Sequence, residues 1–317
     1  MKMNPFVVVL GSLLIFTSVL LIAVILPWAT ISEKGSVIFR PRTALEEKGR
    51  LIYVKNGCTY CHTQFIRNFD WGLGAGRVAQ SGDYIADRPH LLGTERTGPD
   101  LSQEGGEHPD DWHLAHFINP RLTRPESLMP SWKFLGMDQV RALSAYVQSL
   151  GFKDADYRAQ RQRFWRGKAI EAYKSGPDGN VAWLHGMVPE PWTKLPNPYR
   201  TTEVGLQRGH KIFEGFCLGC HGPIGDGMGP AQPYLSPPPL NFTILKGRGI
   251  SGGILYYQIM NGITGTAMPY FKRELESEKI WDVGNYLAVY FIGQSDAGGK
   301  PKGIEAAYEN PPQGATP

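Results

Sequence analysis

Two pentapeptides carry the chemistry of this chain, Cys58-Thr59-Tyr60-Cys61-His62 and Cys217-Leu218-Gly219-Cys220-His221. Cysteines at this spacing can form thioethers to the two vinyl groups of a haem, and the histidine that follows then presents an imidazole to the iron. A structural zinc site would want further Cys or His ligands at matching spacing, and a thioredoxin-like thiol pair has no use for a histidine in both copies. The chain has 4 cysteines and the two motifs consume them all, so no disulfide framework competes. Two covalently bound haem c groups are therefore the expected cofactors. Cys58, Cys61, Cys217 and Cys220 would attach them, and His62 and His221 would bind iron.

The elements around the motifs repeat. Residues 44–55 (ALEEKGRLIYVK) and 204–213 (VGLQRGHKIF) read as helices ending just before each motif, and each carries a Gly followed by an Ile and an aromatic: Gly49 with Ile52 and Tyr53, Gly209 with Ile212 and Phe213. Downstream, Met-Pro occurs once in each half, at Met129-Pro130 and Met268-Pro269. A helical pattern follows each, with Val140, Leu143, Val147 and Leu150 behind an Asp138 cap, and Ile280, Val283, Leu287 and Phe291 behind Ser277. Tyr146 and Tyr286 keep the same register in the two copies.

An N-terminal helix, the motif, a Met-bearing loop and a C-terminal helix packed on the first resemble the small all-helical cytochrome c plan. The expected fold class is all-α, one N-terminal transmembrane helix followed by two cytochrome c-type haem domains. The expected divisions are 1–42 anchor and connector, 43–152 first haem domain, 153–200 basic helix and Pro-rich linker, 201–294 second haem domain, and 295–317 a flexible tail. In cytochrome c folds the haem-ligating His donates its second ring nitrogen to the carbonyl of a Pro-x-Leu turn, and the matches are Pro99-Asp100-Leu101 and Pro238-Pro239-Leu240. Met129 and Met268 are the expected sixth ligands, since a thioether raises the potential as an electron carrier requires. Met137, Met187, Met228 and Met260 compete as core fillers, and His90, His108, His113 and His116 offer a bis-His alternative at the first iron. Buried haem carboxylates need donors, and Arg67, Arg96, Arg121, Trp112 and Trp132 lie in the right segments.

Residues Phe6 to Leu26 form an uncharged apolar run long enough to cross the roughly 30 Å hydrocarbon core as a helix, with Trp28 at the interface. The run is too long for a signal-peptide core and lacks a clear cleavage site. Lys2 alone precedes it, and Glu33 and Lys34 cancel after it. Orientation instead follows from haem attachment, which in bacteria takes place outside the cytoplasmic membrane. The haem domains are expected in the periplasm on a single-pass anchor in the inner membrane. The net charge of +4 gives no case for nucleic acid: residues 153–174 hold seven Lys/Arg against three Asp/Glu, the whole excess. That stretch reads as a basic helix lying on anionic lipid, on a partner subunit or in solvent. Residues 189–199 (PEPWTKLPNPY) should be extended by their prolines.

The first half also carries Cys58-Thr-Tyr-Cys-His-Thr-Gln-Phe-Ile-Arg67, Arg96-Thr-Gly-Pro-Asp-Leu101, Asp111-Trp-His-Leu-Ala-His-Phe-Ile-Asn-Pro-Arg121 and Pro125-Glu-Ser-Leu-Met-Pro130. This pattern, with Asn4-Pro5-Phe6 and a single anchor, resembles the membrane-anchored monohaem subunit of cbb-type cytochrome c oxidases. The resemblance implies a membrane-embedded haem-copper catalytic subunit as partner, with electrons leaving the Cys58 haem for its haem b. The C-terminal half is similar to generic class I cytochrome c modules, and its presence departs from the monohaem pattern. A periplasmic donor such as a soluble cytochrome c would feed it. The rivals are the cytochrome c subunit of a nitric oxide reductase, a dihaem peroxidase and a free anchored carrier.

Overall fold

The computed structural model describes residues 4–31, 34–73, 76–93 and 95–293. Lys2, Glu33 and the tail expected over 295–317 lie outside them. The chain divides into two units, Met1–Arg40 with Gln80–His90, and Pro41–Ala79 with Leu91–Pro317.

In the first unit, helix α1 (Pro5–Thr30) starts with an Asn4 cap that accepts from the Phe6 amide at 3.0 Å. Its 26 residues span about 39 Å at 1.5 Å per residue, and none of its apolar window is buried by protein. Thr17 and Thr30 return their hydroxyls to the carbonyls of Leu13 and Leu26, so neither presents an unbonded polar group. In the same unit the Ser36 amide donates to Gly82 O at 3.0 Å.

The second unit holds both motifs. Helix α2 (Ala44–Lys55) opens with a capping box between Thr43 and Glu46. It lies against α4 (Met137–Gln148), and the close approach is at Gly49, where a Cβ would stand 1.9 Å from Ala142 O and 2.7 Å from Tyr146 Cβ. Between them come α3 (Asp110–Ile118) and the Met129 loop. The core of this module includes Ile52, Tyr53, Phe117, Leu143, Tyr146 and Val147.

After α4 the chain runs through α5 (Phe152–Lys174) and α6 (Gly176–Gly186) to the second module. There α7 (Glu203–Ile212) lies against α9 (Ser277–Leu287), and α8 (Gly252–Asn261) precedes the Met268 loop. Gly209 plays the part of Gly49: its Cβ would stand 2.3 Å from Asp282 O and 2.9 Å from Tyr286 Cβ. The sequence repeat is thus a repeat of one helix crossing, fixed by a glycine against a tyrosine-bearing helix. Among the described residues the secondary structure is helix and turn, with one isolated bridge, Gly105–His108.

Three local readings change. Helix α4 is capped at Gly136 and α9 at Glu276 in place of Asp138 and Ser277, because Gly136 takes a φ of 74° and lets the helix begin at Met137. Residues 189–199 are not uniformly extended, since Glu190–Thr193 make a helical turn with Pro191 in its first positions. The basic stretch braces the two modules. Arg158 donates to Gly105 O and Gln103 O in the first, and Arg166 pairs with Asp111 at 2.8 Å. Gln162 accepts from the Gly265 amide of the second module at 2.6 Å, while Ala155 and Ala169 are buried beneath.

Candidate haem centres

The first motif follows α2 through Gly57, whose φ of 67° turns the chain so that Cys58–Tyr60 form a 3-10 turn. Cys58 is half-buried and burial pushes its thiol up to about 12, whereas Cys61 is exposed. His62 Nδ1 donates to Pro99 O at 2.8 Å, which fixes the ring and leaves the other nitrogen for a metal. Gly98 makes room for this: a Cβ there would stand 2.3 Å from His62 Cε1. Burial also lowers the His62 pKa, favouring the neutral imidazole that ligation needs.

The second motif continues directly from α7 through a wider turn, Phe213–Cys217, into Leu218–His221. Burial pushes Cys217 and Cys220 up to about 12 and lowers His221 to about 4. Such thiols are not thiolates at neutral pH, which argues against a thioredoxin-like nucleophile. His221 Nδ1 donates to Leu240 O at 3.0 Å, and its ring stacks on Phe242 at 4.4 Å. The expected carbonyl was that of Pro238. The carbonyl comes from the same Pro238-Pro239-Leu240 turn, but from its last residue, Leu240.

A single cavity of about 1390 Å³ reaches both histidines. Among the described methionines it is lined by Met129 and Met268. Their loops are built alike: Ser127 Oγ accepts from the Met129 amide at 3.2 Å, and Thr266 Oγ1 accepts from the Met268 amide at 3.1 Å. A hydroxyl two residues before Met-Pro is a signal that the sequence carried and the Met-Pro match alone did not use. Met137 and Met228 are exposed, and Met187 and Met260 do not line the cavity.

The carboxylate donors separate. Arg67 and Arg121 do not line the cavity. The Arg67 guanidinium is bonded to Asp70, three residues away, and Arg121 Nη1 donates to Met129 O, buttressing that loop. Arg96 lines the cavity but also pairs with Asp70, donates to Thr63 Oγ1 and Phe65 O, and with Arg67 holds the Asp70 carboxyl well below the usual carboxylate range. Trp112 lines the cavity between the rings of His108 and His116. Trp132 fits a haem carboxylate best, since it lines the cavity and its buried Nε1 has no hydrogen-bond partner. Of the bis-His candidates, His90 lies outside the cavity and His116 Nδ1 bonds Thr123 Oγ1 at 2.7 Å. The residues present fit haem c: paired thiols, a neutral oriented imidazole, a thioether on the cavity wall and an unused donor.

The modules are tied where these walls meet. Ala115 of α3 packs with Ala231, Leu235 and Ala267 of the second module, and Trp112 and Cys220 flank that cluster. Gly219, inside the second motif, would place a Cβ 2.2 Å from Leu122 O.

Residues 1–163, just over half of the chain, match the family described as cytochrome c oxidase, mono-heme subunit/FixO. The chain belongs to the FixO family. Residues 205–287 match the family described as cytochrome c oxidase, cbb3-type, subunit III, so this FixO chain carries a second cytochrome c domain. It is a membrane-anchored, haem c-bearing electron-transfer component of an oxidoreductase complex, associated with a membrane haem-copper catalytic subunit. No curated protein matches the chain. Among solved structures, the reducing HAO-like protein complex of Kuenenia stuttgartiensis is 22% identical over 80% of this chain and 99% of that one, with a TM-score of 0.29. A likeness that low carries no argument about fold or function.

Proposed function

We propose that this FixO-family chain is a dihaem wire in an oxygen-reducing cbb-type oxidase. Electrons enter from a periplasmic donor such as a soluble cytochrome c at the Cys217 centre, cross to the Cys58 centre, and leave for haem b of the haem-copper subunit. Both modules stand on the periplasmic side. The observation that carries the reading is the one cavity that His62, Met129, His221 and Met268 all line. It exceeds the roughly 300–1,000 Å³ of an ordinary single-ligand pocket.

Each haem c supplies a one-electron ferrous/ferric couple. The protein's part is to hold the two centres at fixed separation and to set their potentials. His62 and His221 are oriented by Pro99 and Leu240. Met129 and Met268 are the proposed sixth ligands, and thioether ligation favours the reduced form.

The order rests on an asymmetry. Tyr60 is 80% exposed and Cys61 is exposed, leaving the first motif's edge free in the module with the FixO pattern. Cys220 instead packs beside Trp112 and Leu122 of the first module. The choice of oxygen over nitric oxide is supported by two matches that both describe cytochrome c oxidase subunits.

Haem stoichiometry tests the reading. The purified chain should carry two haem c groups, and Cys58→Ser/Cys61→Ser and Cys217→Ser/Cys220→Ser should each remove one. A wild-type value of one haem per chain would refute it.

A further inference from the structure

Beside the haem motifs, the first module gathers a second set of metal-type side chains. Glu104, His108 and His113 each offer a ligand atom, and these atoms lie within 4.8 Å of one another. His108 Nδ1 donates to Glu104 Oε1 at 2.6 Å, and the same oxygen stands 3.7 Å from His113 Nε2. His113 is 2% exposed and its Nε2 has no hydrogen-bond partner. A buried ring nitrogen thus points toward a carboxylate at a separation too long for a hydrogen bond. It is close to the spacing of two ligands on one tetrahedral ion: bonds of roughly 2.1 Å place ligand atoms about 3.4 Å apart.

The three side chains are held independently of any ion. Trp112 stacks on His108 with centroids 3.8 Å apart and an interplanar angle of 21°. The loop that carries Glu104 and His108 is pinned to the end of α4: the Gly105 amide donates to Leu150 O, and Gln148 Nε2 donates to His108 O, both at 2.9 Å. His113 is fixed from the other side by its place in the first turns of α3, where its amide donates to Pro109 O. Rigid supports of this kind distinguish a formed ligand set from a chance cluster.

Two imidazoles and one carboxylate are the donor set of zinc and its neighbours in the first transition row, since calcium and magnesium require oxygen ligands. We propose that Glu104, His108 and His113 form a three-ligand site for a zinc-class divalent cation. The ion replaces the proton between Glu104 and His108 and takes up the unused nitrogen of His113. Its fourth position opens to the cavity, which all three residues line. A cation there adds positive charge beside the first centre, so its occupancy raises that centre's reduction potential.

The test uses the full-length chain with its haems in place, stripped by chelator and titrated with zinc chloride by calorimetry. Metal retained after gel filtration is counted, and the potentials are measured with and without zinc. One zinc per chain is expected, with affinity at least ten-fold lower in His113→Gln and in Glu104→Gln at unchanged haem content, and unaltered in His90→Gln. The first centre's potential should rise with zinc in the wild type and not in His113→Gln. Zinc not retained by the wild type, or retained equally by both variants, overturns the site. If His113→Gln shifts the potential of a chain that binds no zinc, His113 serves the haem and the metal site is rejected.

Discussion

The Ser236 amide donates to the Asp111 carboxylate at 2.8 Å across 125 residues of chain, and Arg166 Nη2 reaches the same carboxylate oxygen at 2.8 Å. One buried acid thereby holds the first module, the helix between the modules and the loop that follows the second motif. Asp111 belongs to the segment that resembles the cbb-type oxidase subunit, and here it also serves the second module.

Asp111→Ala leaves the Ser236 amide and the Arg166 guanidinium without their acceptor. Hydrogen bonds to a charged group are worth about 1.5–3 kcal/mol each, so losing these two should cost about 3–6 kcal/mol of stability. Urea unfolding followed by haem absorbance and by tryptophan fluorescence checks this, and an unchanged midpoint would show that the junction rests on the apolar cluster alone.

Gly49→Ala and Gly209→Ala should be damaging to similar degrees, because each Cβ would strike a backbone carbonyl, at 1.9 Å from Ala142 O and 2.3 Å from Asp282 O. Overpacking of this sort costs about 1–3 kcal/mol or more. Thermal unfolding of the two variants measures it, and tolerance at either position would mean that the helix pair can separate cheaply.

Gly98→Ala should act on one centre only. Its Cβ would lie 2.3 Å from His62 Cε1 and must turn the ring away from Pro99 O. Haem content and the visible bands of the first centre should fall, with the His221 centre unaffected. A variant with two normal haem spectra would contradict the assigned role of Gly98.

Stability should fall on the acid side. Burial lowers His116 from 6.5 to about 3, so between those values the unfolded chain binds a proton there that the folded chain does not. Stability therefore rises with pH through this window and is lost as pH drops from 6.5 toward 3. His116→Gln should shrink the difference in urea midpoint between pH 7 and pH 5, and an equal difference in both proteins would place the acid sensitivity elsewhere.

Local signals in the sequence were legible where both partners lie close in the chain or repeat. The haem motifs, the helix before each, the Gly49 and Gly209 positions and the Met-Pro loops all belong to this class. Arg67 lies outside the cavity and is bonded to Asp70 only three residues away, a local ion pair that its place in the haem segment does not signal. A Pro-x-Leu match locates the turn over His221 but not which of its carbonyls meets the ring, and that depends on how the turn packs, so Leu240 and not Pro238 is the acceptor. Charge alone did not reveal the bracing role of α5, since Arg166 and Asp111 are 55 residues apart and meet only when the modules pack. His113 sits in sequence beside His108 and His116, but its nearness to Glu104 depends on the loop that α4 holds in place.

The direction of electron flow is tested most directly in the assembled complex by Cys217→Ser/Cys220→Ser, with turnover driven first by a soluble cytochrome c and then by a small-molecule reductant. Turnover from the soluble cytochrome should fall by at least ten-fold while turnover from the small reductant persists through the Cys58 centre. Unchanged turnover with the soluble cytochrome would contradict entry at the second module and exit through the first.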